Sequence, residues 1–222
     1  MPLKHIAIVV LFLIGPLLSA CSLYQSHGYG RVADLPPGKV ETTPVVLPAA
    51  APSISQRFRL EGASSKNEHR GIDILVPVDT PVLAAADGRV SRVSTSVLYG
   101  RQVMIDHGET DAGFRIQTRY FHLAERLVEA GEAVQRGQPI GLSGLSGMAG
   151  AFPHLHFEVH RLVDDPQPVA SGVMNPQLFW IDGPGQVTCY DYRRAWPTRP
   201  AALTYPVPCL DLPWRESPDG VS

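Results

Sequence analysis

Short β-rich runs separated by Gly, Pro or Asp residues dominate the sequence from about residue 55 onward. Examples are HRGIDILV, RQVMIDHG, FRIQTRYFHL and PHLHFEVH. Runs of this length predict strands joined by tight turns. The 20 glycines and 21 prolines among 222 residues also favour strands and turns over helices. We therefore predict an all-β domain over residues 55–182, with an antiparallel sheet or sandwich core and only short helical segments.

The first 20 residues have the pattern of a secretion signal. The basic start MPLKH precedes the apolar run IAIVVLFLIGPLL, which is too short to span a bilayer comfortably and suits the core of a signal peptide. The run ends in LSAC, which resembles the lipobox of bacterial lipoproteins, where cleavage precedes a lipidated cysteine. We therefore expect Cys21 to carry a lipid anchor in the periplasm. The alternative is an ordinary signal peptide with a chance cysteine. In Gram-negative lipoproteins an aspartate after this cysteine resembles a signal for retention in the inner membrane. Ser22 at this position therefore favours attachment to the outer membrane.

Two segments flank the predicted domain. Residues 21–54 are rich in Pro, Ala, Gly and Ser and show little periodicity, so we predict a flexible linker that carries the domain away from its anchor. Residues 183–222 are Pro-rich and are predicted to form an extended tail wrapped on the domain. With Cys21 lipidated, Cys189 and Cys209 remain. In an oxidising periplasm these two favour a disulfide over two free buried thiols.

Several classes of function find no support in the composition. A net charge of −2 gives no reason to expect nucleic acid as a partner. The chain contains no Gly-x-x-x-x-Gly-Lys motif for phosphate binding. The runs TPVLAAADGRV and GEAVQRGQPIG are similar to text found in lipoyl and biotinyl carrier domains. Those domains present a modified lysine, and no lysine follows Lys66 in this chain.

The run HLHFEVH predicts a strand with two very different faces. Residues two apart in a strand point the same way. The apolar residues of the run therefore pack into the core, while the ligand and acid–base groups share the other face. A pair of histidines spaced as His-x-His on a strand can bind a metal. The residues on the polar face are His154, His156, Glu158 and His160.

The stretch HRGID supplies candidates for the remaining metal ligands. If it is extended, His69 and Asp73 share a face with Gly71 between them, and glycine leaves room for a metal ion. Two imidazoles and one carboxylate leave a fourth position for water, which is the arrangement of a catalytic zinc site rather than a closed structural one. The helical His-Glu-x-x-His signature of other zinc proteases does not occur in the sequence.

Taken together, these motifs resemble the LytM/lysostaphin-type zinc endopeptidases of peptidoglycan. The resemblance covers about residues 68–180 and follows the family's order: HRGIDI, TPVLAAADGRV, YFHL, GEAVQRGQPIGLSG and PHLHFEV. It implies one Zn²⁺ per chain, bound by His69, Asp73 and His156. It also implies that His122 and His154 are catalytic residues that do not bind the metal. Glu158 is a candidate to orient a neighbouring imidazole.

The resemblance also implies a substrate, namely the peptide stems of periplasmic peptidoglycan, cut at D-alanyl–diaminopimelyl cross-links. The alternative is a catalytically silent or latent member that activates a cell-wall amidase partner. Such members typically lose active-site residues, whereas all five positions are intact here. The segments SQRFRLEGASSKNEHRG and SGMAGAFPHLH depart from the family's usual pattern. Both departures concern the walls of the substrate groove rather than the active-site positions.

Overall fold

The computed structural model describes residues 28–32, 43–60, 68–162 and 172–214. Helical structure within these stretches is limited to short 3-10 turns such as Pro176–Leu178. The predicted all-β class is confirmed. The strands are β1 (Ile54–Gln56), β2 (Ile72–Leu75), β3 (Pro81–Leu83), β4 (Gly88–Ser96), β5 (Gly100–Glu109), β6 (Arg115–Leu123), β7 (Glu125–Arg126), β8 (Ala133–Val134), β9 (Pro139–Leu142), β10 (His154–Leu162) and β11 (Val173–Met174).

Two antiparallel sheets contain these strands. The larger has eight strands in the order β1-β2-β10-β6-β5-β4-β8, with β11 also paired to β10. The smaller has the order β3-β9-β7. Strand β10 is paired with β2 on one side and with β6 on the other. Side chains on its polar face therefore have neighbours on both strands. The register sets His156 directly opposite Asp73 on β2 and opposite Phe121 on β6.

Strand β10 has the two-faced character that its sequence predicts. Leu155, Phe157 and Val159 are each fully buried in the apolar core. This core also contains side chains of the small sheet and of the C-terminal tail. Its burial fixes the register of the strand, because a slip by one residue would expose the whole apolar face. The polar residues are thereby held on the opposite face.

Strand β6 departs from simple alternation at the residue that matters most for the site. Ile116, Thr118 and Tyr120 face the core and are fully buried. Strict alternation would also turn His122 inward. The backbone of His122 has a φ of 61°, in the left-handed region, and the β5–β6 register is irregular at the same place. Such an irregularity redirects side chains near functional sites, and here it places His122 in the cleft.

The sequence predicts a flexible linker as far as residue 54, but residues 43–54 pack on the domain. Ala51 and Ile54 are almost completely buried. The hydroxyl of Tyr205, in the tail, donates a hydrogen bond to the carbonyl of Pro52 at 2.8 Å. The linker prediction is therefore wrong for this part, because the apolar residues of VVLPAAAPSI find partners in the tail and the core.

Residues 183–214 follow an extended path over the domain without forming a regular strand. Leu203 and Val207 from this tail are fully buried in the core. Cys189 and Cys209 form a disulfide with their Cα atoms 6.0 Å apart. The guanidinium of Arg136 donates to the carbonyl of Pro197 at 3.1 Å, which adds a polar contact between tail and domain.

The predicted signal peptide and Cys21 lie outside the described residues. In the part of the chain that is described, no helix has the length and apolar character needed to cross a membrane.

Candidate metal centre

Three potential ligand atoms converge where β2 meets β10. They are Nε2 of His69, Oδ1 of Asp73 and Nδ1 of His156. The atom of His69 lies 3.1 Å from that of Asp73 and 3.2 Å from that of His156, and the last two are 2.7 Å apart. Ligands about 2.0 Å from a tetrahedral zinc ion lie about 3.3 Å from one another. The three atoms therefore have nearly the spacing of zinc ligands.

The outer nitrogens of both histidines are held by acceptors, which fixes the tautomers that a metal needs. Nδ1 of His69 donates to the carbonyl of Arg57 at 2.9 Å. Nε2 of His156 lies 3.1 Å from Oε1 of Glu158. Because the outer nitrogen of each ring is the one that donates to a fixed acceptor, the inner nitrogen can bind a metal ion, which displaces any proton that this nitrogen shares with Asp73. The donor set and its supports thus fit a zinc ion with an open fourth position.

The electrostatics of the cluster also favour a cation. Burial alone would raise the pKa of Asp73, but hydrogen bonds from His156 and His69 outweigh it and hold the pKa well below its usual range. Burial likewise would raise the pKa of Glu158, yet hydrogen bonds from His156 and His160 lower it to about 2. Two ionised carboxylates therefore flank His156. Burial would lower the pKa of this histidine, but its hydrogen bonds to Asp73 and Glu158 raise the pKa to about 9.

Glu158 lies beneath the metal centre and touches two histidines. Its Oε1 faces His156, and its Oε2 lies 2.6 Å from Nε2 of His160. The residue is 2% exposed, so the carboxylate is buried rather than solvated. Spacing along β10 allows His160 to line a distant part of the groove. The structure instead buries its side chain against Glu158.

The two predicted catalytic histidines flank the open side of the cluster. The ring centroids of His122 and His154 are 5.0 Å apart. Nδ1 of His122 donates to the carbonyl of Ser146, and Nδ1 of His154 donates to the carbonyl of Phe152, both at 2.9 Å. Nε2 therefore remains available on each ring, and that of His154 lies 3.7 Å from Oδ1 of Asp73.

Burial lowers the pKa of His122, an effect that outweighs its hydrogen bond to the Ser146 carbonyl. The imidazole of His122 is therefore neutral near pH 7. A neutral ring whose Nδ1 is already donating has its lone pair on Nε2, which is the state required of a proton acceptor.

An open cleft of about 490 Å³ surrounds the cluster. Tail residues 183–214 contribute none of the side chains that line it, so the described part of the tail does not cover the centre. The walls include all five predicted active-site residues together with Gln56, Glu68, Arg70, Leu98, Tyr99, Met148, Ala149, Gly150 and Glu158.

Tyr99 is a cleft residue that sequence reasoning missed. Its ring packs on Phe121 with centroids 4.6 Å apart and lies 6.2 Å from the ring of His156. Burial raises the pKa of Tyr99, and the charge of Glu158 raises it further, so its hydroxyl stays protonated. The only signal in the sequence is its place in the VLYG turn between β4 and β5, which is not distinctive.

The family model of peptidase family M23 matches residues 67–170. This stretch contains the three candidate ligands and both flanking histidines. Residues 67–170 are thus similar to peptidase family M23. The resemblance to LytM/lysostaphin-type peptidases is thereby confirmed.

Several known proteins are similar to this chain over part of their length. The peptidoglycan DD-endopeptidase ShyA of Vibrio cholerae is 43% identical over 91 residues, which is 41% of this chain and 20% of that protein. The DD-carboxypeptidase/endopeptidase Mpg of Neisseria meningitidis is 34% identical over 114 residues, 51% of this chain and 25% of that protein. A solved zinc-containing peptidase from Vibrio cholerae is 34% identical, with a TM-score of 0.45, covering 53% of this chain and 35% of that one. The chain thus spans a minor part of these relatives.

Proposed function

We propose that the protein is a zinc-dependent endopeptidase that hydrolyses peptide cross-links of bacterial peptidoglycan. The observation that carries this proposal is the convergence of His69, Asp73 and His156 beside two histidines that are free to exchange protons. Bound there, zinc would polarise a scissile carbonyl and lower the pKa of a water molecule from about 15.7 toward about 7.

The remaining chemistry belongs to the protein's own side chains. Nε2 of His122 or His154 accepts a proton from the attacking water, and a protonated ring donates one to the leaving amine nitrogen. The carbonyls of Ser146 and Phe152 hold the two rings by Nδ1, so each ring presents Nε2 rather than turning away. The negative charge of Asp73 offsets part of the metal's charge.

The similarity to family M23 and to named relatives supports the proposed substrate class. ShyA is named a peptidoglycan DD-endopeptidase, and Mpg a DD-carboxypeptidase/endopeptidase. By similarity we assign this chain to D-alanyl–diaminopimelyl cross-links. The cleft is open to solvent, as access for a polymeric substrate requires.

We further propose that the enzyme is a periplasmic lipoprotein attached through Cys21 to the outer membrane. The support is the LSAC sequence that follows the apolar run, together with Ser22. Such an anchor would place the M23 domain next to the peptidoglycan layer.

Digestion of purified sacculi tests the proposed activity. The purified protein should release soluble muropeptides and convert cross-linked dimers to monomers. Treatment with a chelator should abolish the release, and added zinc should restore it. A protein that holds one zinc per chain and yet cuts no cross-linked dimer would contradict the proposal and favour a regulator of a cell-wall amidase.

A further inference from the structure

His160 is a buried histidine for which the proposed reaction has no direct use. It lies four residues beyond His156 on the same face of β10, about 13 Å along the strand at about 3.3 Å per residue. The residue is buried and is not among those that line the cleft, so it has no direct contact with a substrate bound there. Burying an imidazole costs folding free energy unless its polar atoms have hydrogen-bond partners.

The partner of His160 is the carboxylate that supports the metal centre. Nε2 of His160 lies 2.6 Å from Oε2 of Glu158, and Oε1 of the same carboxylate lies 3.1 Å from Nε2 of His156. An ionised carboxylate only accepts hydrogen bonds. Both histidines therefore donate to it, and the proton on Nε2 of His156 leaves Nδ1 as the atom that faces Asp73 and His69.

Neighbouring residues leave Glu158 little freedom apart from this contact. A Cβ atom on Gly71 would lie 3.0 Å from Cγ of Glu158, so the glycine allows the side chain to pack closely against β2. Arg119 stands opposite Glu158 on β6 and interacts with its charge, but the hydrogen bond from its Nε goes to Oε1 of Gln117 at 2.7 Å. His160 is thus the group that holds the outer oxygen of the carboxylate.

We propose that His160 is a positioning residue for the metal centre. It fixes the Glu158 carboxylate, which in turn fixes the orientation and tautomer of the His156 ligand. This inference rests on the proposed zinc centre and extends its support by one residue. Partners of metal-ligating histidines typically change metal affinity by about 10- to 100-fold when they are removed. A group one contact further out should act at the lower end of that range.

Zinc affinity of the metal-free protein tests the proposal without any substrate. A chromophoric chelator competes for zinc in the wild type, His160→Leu and His160→Gln, with folding checked by circular dichroism. His160→Leu removes the donor and should weaken zinc binding about 10-fold. His160→Gln places an amide N–H near the position of Nε2 and should bind zinc within about threefold of the wild type. Since no peptide is cut, a failure of the proposed peptidase activity would not alter this result.

A double-mutant cycle separates positioning from general packing. In a Glu158→Gln background the ionised carboxylate is gone, so His160→Leu should have little further effect on zinc affinity. His107→Gln, which alters another buried histidine, should leave zinc affinity unchanged. Folded His160→Leu with wild-type affinity, or an equal loss in both backgrounds, would overturn the proposal. If His160→Leu does not fold, His160→Asn takes its place: its shorter amide should weaken binding where that of Gln does not.

Discussion

Nε2 of His69 lies 3.2 Å from Nδ1 of His156, although 87 residues separate the two histidines in the chain. The contact exists because β2 and β10 are adjacent and antiparallel, with Asp73 directly opposite His156. His69 precedes β2, and its Nδ1 is held by the carbonyl of Arg57. Local sequence thus supplies each candidate ligand, and strand pairing brings the candidates together.

Substitutions should separate metal binding from proton transfer. We expect His69→Ala, Asp73→Ala and His156→Ala to lose bound zinc and activity together, because each removes a ligand atom. We expect His122→Ala and His154→Ala to keep about one zinc per chain and to lose roughly 100-fold or more in hydrolysis. Atomic emission on each purified variant gives the zinc content, and conversion of cross-linked dimers to monomers gives the rate.

The neighbouring residues His154 and His156 provide the sharpest comparison. They lie on the same strand and the same face, so loss of either ring leaves a similar gap. If His154→Ala lost its zinc while His156→Ala kept it, the two roles assigned here would be reversed.

Alternation along β10 is enough to predict much of this site. It correctly separates the polar face from Leu155, Phe157 and Val159, because burial of one face leaves the strand no other register. The same rule fails for His122, whose left-handed backbone turns a formally core-facing position into the cleft. A pattern with a period of two contains no information about a local irregularity in strand pairing.

Contacts made between distant segments were also beyond sequence reasoning. Nothing near Val45 to Ile54 distinguishes an apolar linker from a packed one, since its partners in the tail lie more than 130 residues away. The contact of Glu158 with His160 has a different cause. Spacing puts both residues on one face of β10, but only their side-chain conformations show that His160 contacts the carboxylate.

The disulfide should stabilise the fold without contributing to the cleft. Cys189 and Cys209 are 20 residues apart, and a loop of that length corresponds to about 3 kcal/mol in the chain-entropy treatment. We therefore expect the Cys189→Ser/Cys209→Ser double variant to unfold at a lower urea concentration while it retains zinc and activity under native conditions. Two alkylatable thiols in unreduced wild-type protein isolated from the periplasm would contradict the pairing.

Packing of residues 43–54 should be visible as a loss of stability on truncation of a side chain. Ile54 is 1% exposed and belongs to the core. We expect Ile54→Ala to reduce the free energy of unfolding by about 2–4 kcal/mol, the cost of removing a buried aliphatic group and leaving a cavity. Val46→Ala is the matched control, because Val46 is 53% exposed and should cost much less. Equal unfolding midpoints for the two variants would show that the segment is not packed in solution.

Membrane attachment has a direct test. If Cys21 is the lipidated residue, Cys21→Ser should release the protein from the membrane fraction or stop its processing. Labelling with a radioactive fatty acid should mark the wild type alone. Equal labelling of both proteins would refute the lipobox interpretation.

The stability of the domain should depend on pH through His107, a histidine away from the cleft. Its Nδ1 donates to the carbonyl of Asp87 at 2.8 Å, and its Nε2 lies 2.7 Å from the hydroxyl oxygen of Thr118. Burial lowers the pKa of His107 to about 4. In the unfolded chain the value is about 6.5. The unfolded state therefore gains a proton first as the pH falls, and the stability present above about pH 6.5 is lost toward pH 4.

Between pH 7 and pH 5 the free energy of unfolding should fall by about 2 kcal/mol because of His107. Urea unfolding of the wild type and of His107→Gln at pH 7, 6 and 5 measures it. The glutamine variant should be less stable at pH 7 but should lose about 2 kcal/mol less on acidification. Other titratable groups are common to both proteins, so their contributions cancel in the comparison. Parallel pH dependences for the two proteins would show that His107 takes up its proton equally well in the folded and unfolded states.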